Sequence, residues 1–144
     1  MGHIKGKSMP NDYRLDDQVG YKLRLATQRH LEIFSRHLSD VTPTQFSILA
    51  RLYEVGETSQ NQLGRLVAMD AATTKGVIAR LLEKDLVEAR ADPNDLRRLQ
   101  ISLTDAGRSL TIDAIAKARK ITEDTVANLT GRDVKRLLEL LDKM

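Results

Sequence analysis

The chain has 144 residues and contains neither cysteine nor tryptophan. The missing thiols exclude disulfides, a thiol-based redox switch and a thiolate metal site. Aromatic residues are scarce. Tyr13, Tyr21, Phe34, Phe46 and Tyr53 are all there are, and they fall in the first 53 residues. There is no apolar run of about 18 residues, so no membrane span is expected. No secretory apolar segment stands out either, which points to a cytoplasmic protein. A glycine-rich phosphate loop, a nucleophile elbow and a metal-ligand cluster are also lacking. Those absences argue against an enzyme, and no cofactor is expected. Formal net charge is +3. The opening MGHIKGKS reads as a tag remnant over residues 1–8, with Met9 as the native start and 9–17 as an extended arm. Without Lys5 and Lys7 the charge falls to +1. Bulk charge therefore says almost nothing about nucleic acid, and any such argument rests on where the charges sit.

What is present is organised around Thr58 to Thr104. A first short helix is expected from Ser59, with Gln62 three residues on as capping-box partner and Leu63, Leu66 and Val67 inside. Ala68-Met69-Asp70 forms the turn, and Asp70 suits the N-cap of a second helix. That helix places Val77, Ile78, Leu81 and Leu82 on one apolar stripe. Its start carries Ala71, Thr73, Thr74, Lys75 and Gly76, small or hydrogen-bonding residues of the kind that can press into a DNA major groove. Leu86–Arg90 and Leu99–Leu103 suit paired strands around the turn residues 92–95, with Arg97 and Arg98 at the hairpin tip. Helix, turn, helix and basic hairpin together make a winged helix-turn-helix.

The flanks are helical. A long helix over Gln18–Leu38 carries Val19, Leu23, Ala26, His30, Ile33 and His37 at heptad-like spacing, a seam that needs a partner. Thr42 and Pro43 read as N-cap and first residue of the next helix, which runs to Tyr53 and buries Phe46, Leu49, Ala50 and Leu52. Beyond the hairpin, Thr104 caps a helix reaching about Asn128. A last helix follows the cap at Thr130–Asp133, with Val134, Leu137, Leu138 and Leu141 inside. The fold class expected is mainly α with a small β-hairpin. The end helices carry more apolar surface than one small domain buries, which predicts a homodimer.

On these residues the chain resembles the MarR family of bacterial transcriptional regulators, over nearly all of 18–144. DPNDLRRLQISLTDAG is similar to the family's wing signature, with Asp95, Arg97, Leu103, Thr104 and Gly107 matching. VTPTQFSILARL resembles its second helix, and AATTKGVIARLLEKDLVEAR its recognition helix and first wing strand. One departure is Leu96, which stands where the family often has a basic residue, with Arg98 as a substitute. The resemblance implies a single domain, with dimerisation helices at 18–41 and 105–144 around a DNA-binding lobe at 42–104. It further implies a dimer on a pseudo-palindromic operator in double-stranded DNA, usually acting as a repressor released by a small ligand.

The residues expected to meet DNA are Thr73, Thr74 and Lys75 at the helix start. Arg80 reaches either phosphate or a neighbouring acid. Gln60 and Gln62 face the phosphate backbone, unless Gln62 serves only as a cap. Arg97 is expected in the minor groove, oriented by Asp95, with Arg98 beside it. For the effector, Tyr21, Arg24, His30, Phe34, His37 and Phe46 combine aromatic faces with cations. They suit an anionic aromatic acid or its coenzyme A thioester, the effectors that family members controlling aromatic catabolism often answer to. The bland alternative makes Phe34 and Phe46 core and the histidines interface residues. The His30–His37 spacing could also take a metal, but no third ligand stands nearby. A further alternative is a winged-helix DNA-binding or protein-docking module with no effector.

Overall fold

The computed structural model describes residues 10–144. The tag remnant and native start proposed for residues 1–9 lie outside them. The chain forms two compact units, one containing residues up to Arg36 together with Ile121–Met144, the other His37–Lys120.

The His37–Lys120 unit begins with a cap. In α2 (Pro43–Val55), Thr42 and Gln45 exchange hydrogen bonds between side chain and backbone, both at 3.2 Å, and Pro43 sits at the first turn. Pro supplies a pre-set φ where no amide donor is needed. Gln45 is buried, and its oxygen also accepts from Lys84 Nζ at 3.1 Å. Lys84 in turn donates to the Asp40 carbonyl at 2.9 Å, tying the end of the second helix-turn-helix helix to the start of α2. Ile48, Leu49 and Leu52 are buried, whereas Phe46 and Ala50 are half-buried.

The helix-turn-helix follows as predicted in order. A two-residue strand β1 (Thr58–Ser59) leads into α3 (Gln60–Leu66), and Ala68 takes a left-handed conformation at the turn into α4 (Ala71–Glu83). Only half of the expected capping box at Ser59 forms. Ser59 Oγ accepts from the Gln62 amide at 3.2 Å, but the Gln62 side chain turns to Arg65. Within α4, Ile78 and Leu81 are buried and Val77 half-buried. Leu82, expected inside, is exposed because it lies past the edge of the stripe that α2 and the sheet cover. Gly64 marks the close approach of α3 and α4. A Cβ there would lie 2.8 Å from Thr74 Oγ1.

The sheet has three antiparallel strands rather than a hairpin alone, in the order β1-β3-β2, with β2 Val87–Asp92 and β3 Asp95–Leu103. Ile101 pairs with Thr58 on one side and Ala89 on the other and is fully buried. The core of the unit joins Ile48, Leu49, Leu52, Leu63, Ile78, Leu81 and Ile101. Thr104 then caps α5 (Asp105–Thr125), accepting from the Gly107 amide at 2.9 Å and donating to the Asp85 carbonyl at 2.7 Å. At Gly107 a Cβ would fall 1.8 Å from the Leu86 carbonyl oxygen, so only glycine fits.

In the other unit the arm expected to be extended makes two short 3-10 turns, Pro10–Asp12 and Leu15–Asp17. Asp17 and Gln18 amides close the second by donating to Arg14 and Leu15 carbonyls. The helix α1 (Val19–His37) and the end of α5 fall within one or a few residues of their predicted bounds. In the last helix, α6 (Gly131–Asp142), Thr130 and Asp133 form a complete capping box at 3.1 Å each way. Its Val134 is half-buried, while Leu137, Leu138 and Leu141, expected inside, stand exposed in the single chain. An amphipathic helix hides its stripe only where another surface covers it. Among the described residues no helix is long and apolar enough to cross a membrane.

Candidate nucleic-acid interface

The face of α4 turned to solvent carries Ala71, Ala72, Thr73, Lys75, Gly76, Ala79 and Arg80, all exposed. Its start is set by Asp70, whose Oδ1 accepts from the Thr73 amide at 2.7 Å. That bond lowers the Asp70 pKa below the usual carboxylate value, because it stabilises the ionised form. Thr73 and Lys75 therefore sit where the sequence placed them. Thr74 does not. It is 2% exposed, and its hydroxyl donates to the Asp70 carbonyl at 2.8 Å while its side chain meets the α3 surface at Gly64. A helix turns about 100° per residue, and the step from Thr73 to Thr74 crosses the edge of the exposed face into the contact with α3. Arg80 borders a surface groove of about 300 Å³ shared with Thr42, Thr44 and Thr73. That position suits the phosphate alternative.

The wing departs from expectation in where its arginines sit. Pro93 and Asn94 alone form the tip, since Asp92 pairs with Asp95 and accepts from the Asn94 amide at 2.8 Å. Arg97 and Arg98 are strand residues of β3, and alternation sends them to opposite faces of the ribbon. The Arg97 side chain is 92% exposed, with Nε 3.2 Å from Asp95 Oδ1. The same oxygen accepts the Arg97 amide at 3.1 Å, so Asp95 fixes both the backbone and the direction of the guanidinium. Arg98 shares its face with Gln100, which donates to Asp92 at 3.1 Å. The Asp92 carboxyl is held below its ordinary pKa, chiefly by the Asn94 amide and less by Gln100 and the Arg98 charge. Leu96 is strongly exposed.

On α3, Gln60 is half-buried. The Gln62 oxygen accepts from Arg65 Nε at 2.9 Å and Nη2 at 2.6 Å. Arg65 is a residue the sequence reading missed. The spacing of three between a glutamine and an arginine on a solvent-facing helix side was the available signal.

Within the unit built from the chain ends, the candidate effector residues fall into two pairs. Arg24 stacks over the Tyr21 ring at 5.3 Å. His30 and Phe34 pair with ring centroids 6.4 Å apart, and His30 Nδ1 lies 2.9 Å from Thr125 Oγ1. Nearby, Arg29 Nη2 donates to the Asp124 carbonyl at 3.1 Å. Tyr21 and His30 are nine residues apart on α1, which is two and a half turns, so they point to opposite sides of that helix. Phe34 is buried and His37 half-buried. Phe46 packs half-buried against the core of the His37–Lys120 unit. Among the described residues no group of three or more His, Asp or Glu is placed to hold a metal.

A short helix-turn-helix whose second helix has a polar, exposed face, followed by a three-stranded wing that holds Arg97 outward, defines the class of winged-helix transcriptional regulators. The MarR family model matches residues 41–99. The repressor NicR of Pseudomonas putida is 37% identical over 92% of this chain and 85% of its own length. The chain belongs to the MarR family, a family of DNA-binding transcriptional regulators rather than enzymes. A crystal structure of a probable transcriptional regulator from Pseudomonas aeruginosa is similar at 46% identity and a TM-score of 0.85, covering 90% of this chain and 98% of that one. BpsR of Bordetella bronchiseptica, solved in a study of how 6-hydroxynicotinic acid regulates its DNA binding, is 36% identical with a TM-score of 0.87, covering 92% and 96%.

Proposed function

We propose that this protein is a homodimeric cytoplasmic repressor that binds a pseudo-palindromic operator and is released by a small aromatic acid, with a hydroxylated pyridine carboxylate as the favoured class. The observation that carries the DNA part is the exposed Thr73–Lys75–Arg80 face of α4, accompanied by an Arg97 that Asp95 holds outward. Thr73 and Lys75 read base edges or phosphate, Arg80 meets phosphate, and Arg97 enters the minor groove, where the potential is most negative. Exposed leucines on α6 and the uncovered start of the α1 seam support pairing of two copies. Two recognition helices in successive major grooves then lie ~34 Å apart, so the half-sites are spaced by about one helical turn.

Support for the effector comes from the similarity to BpsR and from the His30–Phe34–Thr125 group. Thr125 occupies Nδ1 of the imidazole, and Nε2 is the nitrogen that meets the ligand carboxylate, with the Phe34 ring beside it. The ligand acts by binding more tightly to a state that grips DNA poorly. Tyr21 and Arg24, on the other side of α1, and Phe46, in the other unit, are not part of this proposed group.

The test is a fluorescence anisotropy titration on the DNA upstream of the protein's own gene, with pyridine and benzene carboxylates and aryl-coenzyme A thioesters as challengers. Salt-sensitive binding released by 6-hydroxynicotinic acid or a close analogue is the expected result. Release only by a thioester would replace the effector class. Binding that ignores the whole panel would favour a regulator without an effector. Arg97→Ala is expected to weaken binding across sequences and flatten the salt slope by ~1.8, about 0.9 for each of the two copies in the dimer. An unchanged slope would remove Arg97 from the interface.

A further inference from the structure

Gln62 and Arg65 stand one helical turn apart on the open side of α3. The Gln62 oxygen accepts from Nε and Nη2 of Arg65 together, at 2.9 and 2.6 Å. Both bonds fall on one edge of a planar guanidinium, so the plane is fixed and the opposite edge, with the Nη1 donors, is directed away from Gln62. A long side chain normally loses rotamer freedom when it grips a partner, and this one is already ordered. Beside it lies a surface crevice of about 330 Å³ between α3 and the start of α4, bordered by Asn61, Arg65, Met69 and Ala71. The crevice contributes the Asn61 amide and the Arg65 fork as donors. The neighbouring acid, Asp70, is turned to the Thr73 amide at 2.7 Å.

We propose that Arg65 is a phosphate-gripping residue of the DNA interface and that Gln62 is its positioning residue. The inference rests on the DNA-reading function proposed above. It revises the phosphate role expected of Gln62: its oxygen is engaged by Arg65, and its remaining Nε2 donors are neutral beside the charged guanidinium. The occupant is the DNA backbone rather than a free anion because the fork lies on the helix preceding α4. A strand bordering the groove that α4 enters passes there, and phosphate contacts from that helix set the register of the reading helix.

The experiment uses the full chain and a labelled duplex from the upstream region, titrated over a range of salt. Arg65→Ala is expected to lower affinity at least about tenfold and to flatten the salt slope by ~1.8, about 0.9 for each of the two copies in the dimer, with the thermal midpoint unchanged because the side chain is exposed. Arg65→Lys keeps the slope and recovers only part of the affinity, since a point charge lacks the fork. Gln62→Met weakens binding a few-fold in the wild-type background and has no effect in the Arg65→Ala background, the pattern of a residue that acts through another. Wild-type affinity and slope in Arg65→Ala would overturn the proposal. An equal effect of Gln62→Met in both backgrounds would overturn the positioning role. A wild-type protein with no salt-sensitive DNA binding would overturn the DNA reading itself, and this inference with it.

Discussion

The two compact units treat their apolar residues differently. The His37–Lys120 unit closes Ile48, Leu49, Leu63, Leu81 and Ile101 completely within one chain. The unit built from the chain ends buries Ile33, Phe34 and Ile121 but leaves Val19 at 64%, Leu138 at 58% and Met144 at 77% exposure. Burial of apolar area is what stabilises a fold. The first unit therefore closes its core with its own atoms, and the second leaves apolar helix faces uncovered in the single chain, the surface on which the proposed dimer rests. The comparison separates residues that set the shape of the reading head from residues that set assembly.

The largest effect is expected inside the self-sufficient unit. Gly107→Val drives a side chain into the Leu86 carbonyl and should cost more than ~3 kcal/mol, read as a lost or sharply lowered urea midpoint. A midpoint near wild type would show that the joint between the sheet and α5 yields easily. Next comes assembly. Leu138→Glu combined with Leu141→Glu should convert a dimer to a monomer in sedimentation experiments and remove the concentration dependence of the thermal midpoint. A dimer that survives both charges would break the contrast between the units. A smaller effect divides two adjacent threonines. Thr74→Ala should lower stability by about 1–2 kcal/mol without changing base preference. Thr73→Ala should leave stability within ~0.5 kcal/mol and relax discrimination at one base step by ~1–3 kcal/mol. Equal outcomes for the pair would refute the assignment of their faces.

The smallest effect is a pH dependence. Asp70 has a folded-state pKa lowered by the Thr73 amide. A depressed carboxylate contributes stability above its unfolded pKa of about 4 and loses it as pH falls through the lower folded value. The difference in thermal midpoint between wild type and Asp70→Ala should therefore be full at neutral pH and shrink as pH drops below about 4. A constant difference down to pH 3 would mean that the cap does not depend on the carboxylate charge.

Much of the fold was legible because local rules and the global structure agree. Asp70, Ser59, Thr42, Thr104 and Thr130 all cap the helices they were expected to cap, since an oxygen at the N-cap satisfies an amide that the helix itself cannot. The candidate site was legible only in part. Thr73 and Lys75 are exposed near the start of α4, as their positions predicted, and Asp95, expected in the turn, opens β3 while still pairing with Arg97. Thr74 was misplaced because composition marks it as polar, while its helical phase against Gly64 decides that it is buried. Arg97 and Arg98 were grouped because they are neighbours in sequence, yet a strand separates neighbours onto opposite faces. Tyr21 and His30 were joined by chemistry and parted by helical phase.

The chain's own residue order determined the succession of helices, their caps, the turn of the helix-turn-helix and the charged hairpin, all of which depend on interactions spanning a few residues. Tertiary structure alone decided that β1 adds a third strand, that the Leu86 carbonyl leaves room only for glycine at 107, and that Gln45 joins Lys84 to the start of α2. These outcomes depend on atoms brought together from distant parts of the chain, and no local pattern encodes the distance between them.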